Sequence, residues 1–211
     1  MKEIKIGSQI WAQEDLKVLK FKNGDLIPIV QDAEEWSKMK SAAMCINPYT
    51  LAYFYNWYAV NDSRGLAPEG WHVPTDAEWT TLTDYLGATT AGGKMKFAAP
   101  AWNGTNESGF CGLPGGARNS NGSFLDAGNY GHWWSSSPDG SYNAWTWFLS
   151  SYNGYLNRSY YDKRFGFSVR CIKGEVVCTA NDEHSARLDE IALKLDQLQR
   201  EIETIRASKK P

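Results

Sequence analysis

Residues 128–164 read GNYGHWWSSSPDGSYNAWTWFLSSYNGYLNRSYYDKR. Ser, Tyr and Asn dominate the stretch, and Trp133, Trp134, Trp145 and Trp147 are threaded through it. In AWTWFL the side chains alternate, with Ala144, Thr146 and Phe148 on one side and Trp145, Trp147 and Leu149 on the other. That period of two predicts a strand, and WWSSS predicts another. Polar loops are expected between the strands. Tyr and Trp offer large rigid contact area at low entropic cost, while Ser, Gly and Asn adapt their hydrogen bonding. A catalytic site needs converging titratable groups, which the stretch largely lacks. Recognition, rather than chemistry, is the expectation.

Outward from this stretch, GFSVRCI (166–172) alternates as a further strand. The clearest local signal lies upstream, in TDAEWTTLTDYLG (75–87). Thr75 and Glu78 have capping-box spacing, Trp79, Leu82 and Leu86 share a helical face, and Gly87 stands at the C-cap position. Near the start, Ile4, Ile6, Ile10 and Trp11 predict a strand with a turn at Gly7–Ser8. Lys17 to Phe21 reads as a second strand closed by a turn at Asn23–Gly24. Asp32 followed by Glu35 suits a short capped helix through Trp36 and Met39. Tyr49 to Val60 reads as buried strand and turn, and Thr89 to Asn121, rich in Gly, Pro and Asn, as long loops.

At Gly174 the composition changes. Leu188, Ile191, Leu195, Leu198, Ile202 and Ile205 step by three and four residues, a heptad seam with charged flanks. Leu at a and Ile at d favour a trimer, with a tetramer as the alternative. An amphipathic helix folded back onto its own domain is the competing reading. The expected organisation is a ligand-binding domain over 1–173, a linker over 174–181 and a coiled-coil oligomerisation helix over 182–208.

The 211 residues carry a net charge of −2 with both signs interspersed. Nucleic acid as the main partner is not expected, because phosphate binding needs a basic patch. No apolar run reaches the ~20 residues that span a bilayer, so membrane insertion is not expected. The opening MKEIKIGSQIWAQ lacks the apolar core of a secretory signal. The chain is therefore expected in the cytoplasm as synthesised or in a particle assembled there, and at a cell surface only after loss of a leader.

Catalytic and metal patterns are weak. Cys45, Cys111, Cys171 and Cys178 have no paired zinc spacing and read as buried or free thiols. His72, His132 and His184 lie apart from Cys and carboxylates at ligand spacing, and His72 reads as a core histidine bonded to backbone. Asp126 and Asp139 are loop carboxylates without the spacing of a calcium loop. Asp76 and Glu78 are accounted for by stabilising a helix N-terminus. No metal and no cofactor is expected, and no enzymatic activity.

The ordered motifs FYNWYAV (54–60), RGLAPEGWHVPTDAEWTTLTDYLG (64–87), NESGF (106–110), LPGGAR (113–118), WWSSS (133–137) and GFSVRC (166–171) carry a family resemblance. Over roughly residues 4–173 the chain resembles the "Fibrobacter succinogenes major paralogous domain" family. The resemblance implies an α+β, C-type lectin-like fold of the formylglycine-generating-enzyme kind, with WWSS and GFSVRC as core strands and the residues between them lining a binding face. Two departures stand out. Cys111 replaces a small or hydroxyl residue, and Ala67 stands where some relatives carry Cys. The reactive cysteine pair of enzymatic relatives has no counterpart here.

The chain also resembles variable proteins of diversity-generating retroelements, in which Asn codons of the form AAY are randomised at their first two bases. Such codons yield Asn, Tyr, Ser, Asp, His, Thr, Phe or Gly, among others, and never Trp or Lys. That resemblance implies a diversified ligand-binding set: Thr146, Phe148, Ser150, Tyr152, Asn153, Tyr155, Asn157, Ser159, Tyr160, Tyr161 and Asp162, extended by Tyr130, His132, Asp139, Ser141 and Tyr142. Asn143 is compatible too. Trp145, Trp147 and Lys163 would be scaffold, with Trp133, Trp134, Phe165, Phe167 and Val169 in the core. Tyr152, Tyr155, Tyr160 and Tyr161 would be aromatic anchors. The expected function is receptor recognition of an unknown protein or glycan on a cell surface, from a phage tail tip or similar display, by a homo-oligomer. A non-diversified carbohydrate-binding lectin or adhesin is the alternative.

Overall fold

The computed structural model describes residues 1–174 and Lys194. Leu188, Ile191, Leu195, Leu198, Ile202 and Ile205, expected to form the heptad seam, lie outside the described residues, as do Cys178 and the linker beyond Gly174. The described chain is α+β, with many short strands and few helices.

The elements run β1 (Glu3–Ile6), β2 (Gln9–Ala12), α1 (Ala33–Ser37), β3 (Met44–Ile46), β4 (Tyr53–Tyr55), α2 (Trp57–Val60), β5 (Trp71–His72), α3 (Asp76–Leu86) and α4 (Ala91–Met95). A 3-10 turn at Pro100–Trp102 follows. Then come β6 (Ala117–Arg118), β7 (Phe124–Leu125), β8 (Tyr130–Asp139), β9 (Asn143–Ser150), β10 (Leu156–Asp162) and β11 (Ile172–Lys173). One sheet has the order β1-β2-β11-β5, so the two ends of the domain meet: Ile172 pairs with both Trp11 and His72. The second is the antiparallel sheet β10-β9-β8, built from the stretch quoted above.

Several sequence expectations hold locally. The β1–β2 hairpin turns at Gly7, whose φ of 61° lies in the region glycine adopts without a Cβ penalty. Thr75 accepts from the Glu78 amide while the Glu78 carboxylate accepts from the Thr75 amide, so α3 has a full capping box and closes at Gly87. Asp32 caps α1 by accepting from the Glu35 amide, although the helix ends at Ser37 rather than Met39.

Other expectations need correction. Lys17 to Phe21 forms no strand; one bridge joins Lys20 to Leu26, and the Val18 amide donates to the Tyr55 hydroxyl instead. Residues 57–60 are helical because Asn56 caps them, its side chain accepting from the Ala59 amide. Most of GFSVRCI is extended but joined to its neighbours by single bridges, Gly166 to Arg118, Phe167 to Tyr55 and Ser168 to Trp133. Residues 156–162, expected as a polar loop, are the full edge strand β10. Its Tyr, Ser and Asn side chains pair across β9, and that cross-strand packing overrides their loop-like composition.

Aromatic side chains make up much of the core. Trp11, Trp79, Phe110, Trp133 and Trp147 form one cluster with Leu82, Leu86, Leu149 and Leu156. Trp79 stacks on Trp147 at 6.2 Å between ring centroids, and Phe110 meets Trp133 edge-on at 5.7 Å. Burying each such ring contributes ~1.5–3 kcal/mol. A second cluster, around Tyr55, Trp57, Trp134, Phe167 and Val169, lies on the opposite side of the three-stranded sheet. Asp15 ties the sheet to the N-terminal segment, accepting from Trp133 Nε1 at 2.7 Å and Arg170 Nε at 2.8 Å.

Candidate ligand-binding face

The pairing register of the three-stranded sheet assigns every side chain to a face, because paired residues point the same way and neighbours along a strand alternate. Trp147 pairs with Trp133 and Arg158, and Leu149 pairs with Gly131 and Leu156. This inner face, with Trp145, closes on α3, α4 and the Trp79 cluster. Phe148 pairs with His132 and Asn157, Thr146 with Trp134 and Ser159, Ser150 with Tyr130, and Ala144 with Tyr161. These residues make the outer face. A register shift between Trp134 and Pro138 interrupts β8, and beyond it the strands run to the hairpin at Gly140 and Ser141.

Most of the expected ligand-binding set falls on the outer face. Tyr130, Phe148, Asn157, Ser159 and Tyr161 lie there, each partly exposed. Tyr152 (74% exposed), Asn153 and Tyr155 (47%) continue them in the β9–β10 turn. Tyr130 ties the strand to that turn, its ring 6.0 Å from Tyr152 and 6.1 Å from Phe148. Asp139, Ser141 and Tyr142 sit at the β8–β9 hairpin, the opposite end of the sheet, with Tyr142 79% exposed.

Two groups depart from the expected outward placement. His132, Thr146 and Ser150 are 4%, 0% and 2% exposed. They are on the outer face; the Phe148 and Phe167 rings stack on His132 at 5.3 and 4.9 Å, and Thr146 is paired with the buried Trp134. Tyr160 and Asp162 pair with Trp145 and Asn143, which puts them on the inner face near its rim. Tyr160, 56% exposed, packs edge-on to Trp145 at 5.8 Å. Asp162 is bonded by the Arg164 guanidinium. Burial alone would raise its carboxyl pKa, but the Arg164 bonds outweigh burial and hold it below the usual carboxylate range.

Buried cations fix both turns of this sheet. Lys96 Nζ donates to the Asn153 carbonyl at 2.6 Å and lies over the Trp102 ring, and burial pushes its pKa down. Lys163 Nζ donates to the Gly140 and Ser141 carbonyls at 2.9 and 3.2 Å and lies over the Trp57 ring. The β9–β10 turn also rests on α4, where a Cβ on Gly92 would come within 2.1 Å of the Tyr155 carbonyl. Lys96 belongs to the site's support although nothing in its surrounding sequence marks it.

Asp126 is the other residue that sequence reasoning did not assign to the face. It precedes β8 in the left-handed region, at φ 62°, and its carbonyl accepts from the Asn129 and Tyr130 amides. Its carboxylate stands 3.9 Å from His132 Nε2. Burial pushes the His132 pKa down, against an opposing pull from Asp126.

The remaining titratable groups serve the frame. His72 bonds the Gly174 carbonyl through Nδ1 and the Glu78 carboxylate through Nε2, each at 2.8 Å, so the backbone bond expected of it is accompanied by a bond to a carboxylate. Cys45, Cys111 and Cys171 are free; burial pushes the Cys45 thiol up to about 11 and the Cys171 thiol up to about 12. A thiol at that pKa carries almost no reactive thiolate near neutrality. Among the described residues, no three His, Cys, Asp or Glu side chains converge to hold a metal ion, and no helix is long and apolar enough to cross a membrane.

No curated protein and no solved structure matches the chain. A family match covers residues 4–173, both sheets and the whole outer face included, and by that match the chain belongs to the Fibrobacter succinogenes major domain family.

Proposed function

We propose that the domain is a recognition head whose outer face is diversified, a variable protein of a diversity-generating retroelement on a C-type lectin-like frame. In this reading the head is displayed on a phage tail tip or a cell surface. The C-terminal helix gathers several heads, a trimer first and a tetramer as the alternative, so that simultaneous engagement raises avidity. The partner is a protein or glycan on another cell.

One observation carries the reading. In β9 Thr146, Phe148 and Ser150, which randomised AAY codons encode, are on one face, and Trp145 and Trp147, which those codons never encode, are on the other; the exceptions are Asn143, Tyr160 and Asp162, compatible residues on the tryptophan face, and Trp134, on the outer one. Tyr130, His132, Asn157, Ser159 and Tyr161 join the first group. Lys163, likewise outside the randomised set, is buried beneath the hairpin. An interchangeable surface needs this segregation, because a residue that packs the core cannot vary freely.

The burial of His132, Thr146 and Ser150 favours a second reading, a fixed lectin or adhesin, since buried positions tolerate fewer substitutions. The two readings separate on the gene locus and on the protein. A nearby near-copy of the coding stretch, differing only at adenines, supports diversification. A library drawing Tyr130, Phe148, Tyr152, Asn157 and Ser159 from Asn, Ser, Tyr and Asp should yield mostly folded heads by proteolysis and circular dichroism. A mostly unfolded library contradicts the reading. For the tail, removing residues after Gly174 should reduce the solution mass to that of one chain; a monomer before as well as after truncation refutes the coiled coil.

A further inference from the structure

Strand β10 is the open edge of the three-stranded sheet, since β9 flanks it on one side only. The phase of its pairing is fixed at its end, where the Lys163 amide donates to the Tyr142 carbonyl at 2.9 Å. Bonded and non-bonded pairs alternate along an antiparallel ladder, so Tyr161, Ser159 and Asn157 aim their amides and carbonyls at β9. Arg158 and Tyr160 aim theirs away from it. The far strand agrees: His132 and Trp134, paired across β9 with Phe148 and Thr146, bond the Ser168 backbone on the side away from β9. Among the described residues nothing bonds the backbone amide or carbonyl of Arg158 or Tyr160 on that open side. Every residue from Asn157 to Asp162 is at least partly exposed.

Open edges are usually blunted by proline, by a bulge, by short length or by free charges. β10 shows none of these. It is seven residues long without proline, and its register with β9 runs unbroken. Its two charged side chains are held by the protein itself: Arg158 lies 3.3 Å over the Trp145 ring and bonds Asp76 at 2.7 Å, and Asp162 is bonded by Arg164. The edge of the other sheet differs, for β1 is four residues long and carries the exposed Lys5.

Resting on the recognition role of this sheet, we propose that β10 is the seam of contact, to which an extended segment of a target protein adds as a fourth strand. Outward amides and carbonyls two residues apart have the repeat of a strand and match a polypeptide backbone, whereas a glycan has no such ladder of alternating donors and acceptors. Specificity comes from both sides of the seam, from Asn157, Ser159 and Tyr161 on the outer face and from Tyr160, 56% exposed, on the inner. This placement gives Tyr160 and Asp162, which register turns away from the outer face, a reason to belong to the diversified set. A second copy of the chain suits the edge less well. A two-fold contact needs a self-complementary patch, and a strand whose side chains vary would have to match itself again after every change.

The test is to pan the full chain with a display library of random linear peptides of about twelve residues, long enough to span the strand, and to follow amide exchange with a selected peptide bound. The Arg158 and Tyr160 amides should become protected, while the Ser159 amide, already bonded to β9, changes little. Tyr160→Pro removes an outward amide and spares the pairing with β9, since proline is tolerated where an edge amide faces solvent. It should bind the peptide about tenfold more weakly than Tyr160→Ala, the effect of one backbone bond beyond the side chain. Ser159→Pro takes a bond from the β9 ladder and should melt well below Tyr160→Pro; the reverse order overturns the phase and the seam with it. The seam is equally overturned by a library that yields no binder, by binders that leave both amides exchanging as in the free chain, or by equal binding of Tyr160→Pro and Tyr160→Ala. Protection of both amides before any peptide is added, the mark of a second copy on the edge, overturns it too. Should Tyr160→Pro fail to fold, amide protection in the parent decides. Any of these failures beside a well-folded outer-face library rejects the seam and leaves diversified recognition standing; an unfolded library rejects the recognition reading itself.

Discussion

The two faces of the β8–β9–β10 sheet are woven from the same strands and differ in what they do with aromatic side chains. On the inner face, Trp133 and Trp147 interlock with Trp79 and Phe110 and are at most 4% exposed. On the outer face, Tyr130, Phe148, Tyr152 and Tyr161 meet one another around a buried histidine and remain partly in solvent. The same residue class thus serves as frame or, in the proposed function, as contact surface, and a shift of one position along β9 decides which. A strand is an economical base for a binding surface, because its alternation separates the side chains that must not change from those that are free to.

The sharpest way to break this contrast is to damage the frame. Trp147→Ala removes a ring stacked on Trp79 and the bond from its Nε1 to Asp76, so it should cost ~3–5 kcal/mol in denaturant unfolding. A loss below ~1 kcal/mol would mean that the inner face is not the one holding the fold. Lys96→Met should cost less, ~1–3 kcal/mol, through the unpaired Asn153 carbonyl, and should speed amide exchange in the β9–β10 turn ahead of the rest of the sheet. Uniform acceleration would show that Lys96 supports the whole domain rather than that turn.

The histidines sharpen the comparison through pH. At His72, burial alone would lower the pKa, but the Glu78 carboxylate and the Gly174 carbonyl outweigh it and raise the pKa. Its stabilising contribution is therefore complete below the unfolded value of ~6.5 and lost as pH rises through the folded value. At His132 burial lowers the pKa, so its contribution is present above ~6.5 and lost as pH falls. His72→Gln should flatten the loss of stability above neutrality, and His132→Phe should flatten the loss on the acid side; an exchange of these two effects contradicts the assignment. Smallest of all, Tyr152→Ser should change stability by no more than ~0.5 kcal/mol, since its ring is mostly solvated.

Much of this was legible in the sequence where short-range rules apply. The α3 capping box, the β1–β2 turn and the alternation in AWTWFL each depend on neighbours a few residues away. Residues 156–162 were misjudged because Tyr, Ser and Asn are loop vocabulary, and only pairing with β9 makes them a strand. Part of the burial of His132 comes from Phe167 stacking on it, a contact between distant segments that alternation cannot report. Asp126 and Lys96 reach the site through loop geometry and leave no local signature. Tyr160 and Asp162 suit a randomised codon as well as any outer-face residue, yet register turns them inward.

The most direct measurement is a substitution scan of residues 130 to 162 to Asn, Ser, Tyr and Asp, read as resistance to proteolysis at each position. The account predicts an alternating record, with Phe148, Asn157 and Ser159 tolerant and Trp147, Leu149 and Leu156 intolerant. Equal sensitivity on both faces, or tolerance on the tryptophan side, would contradict it.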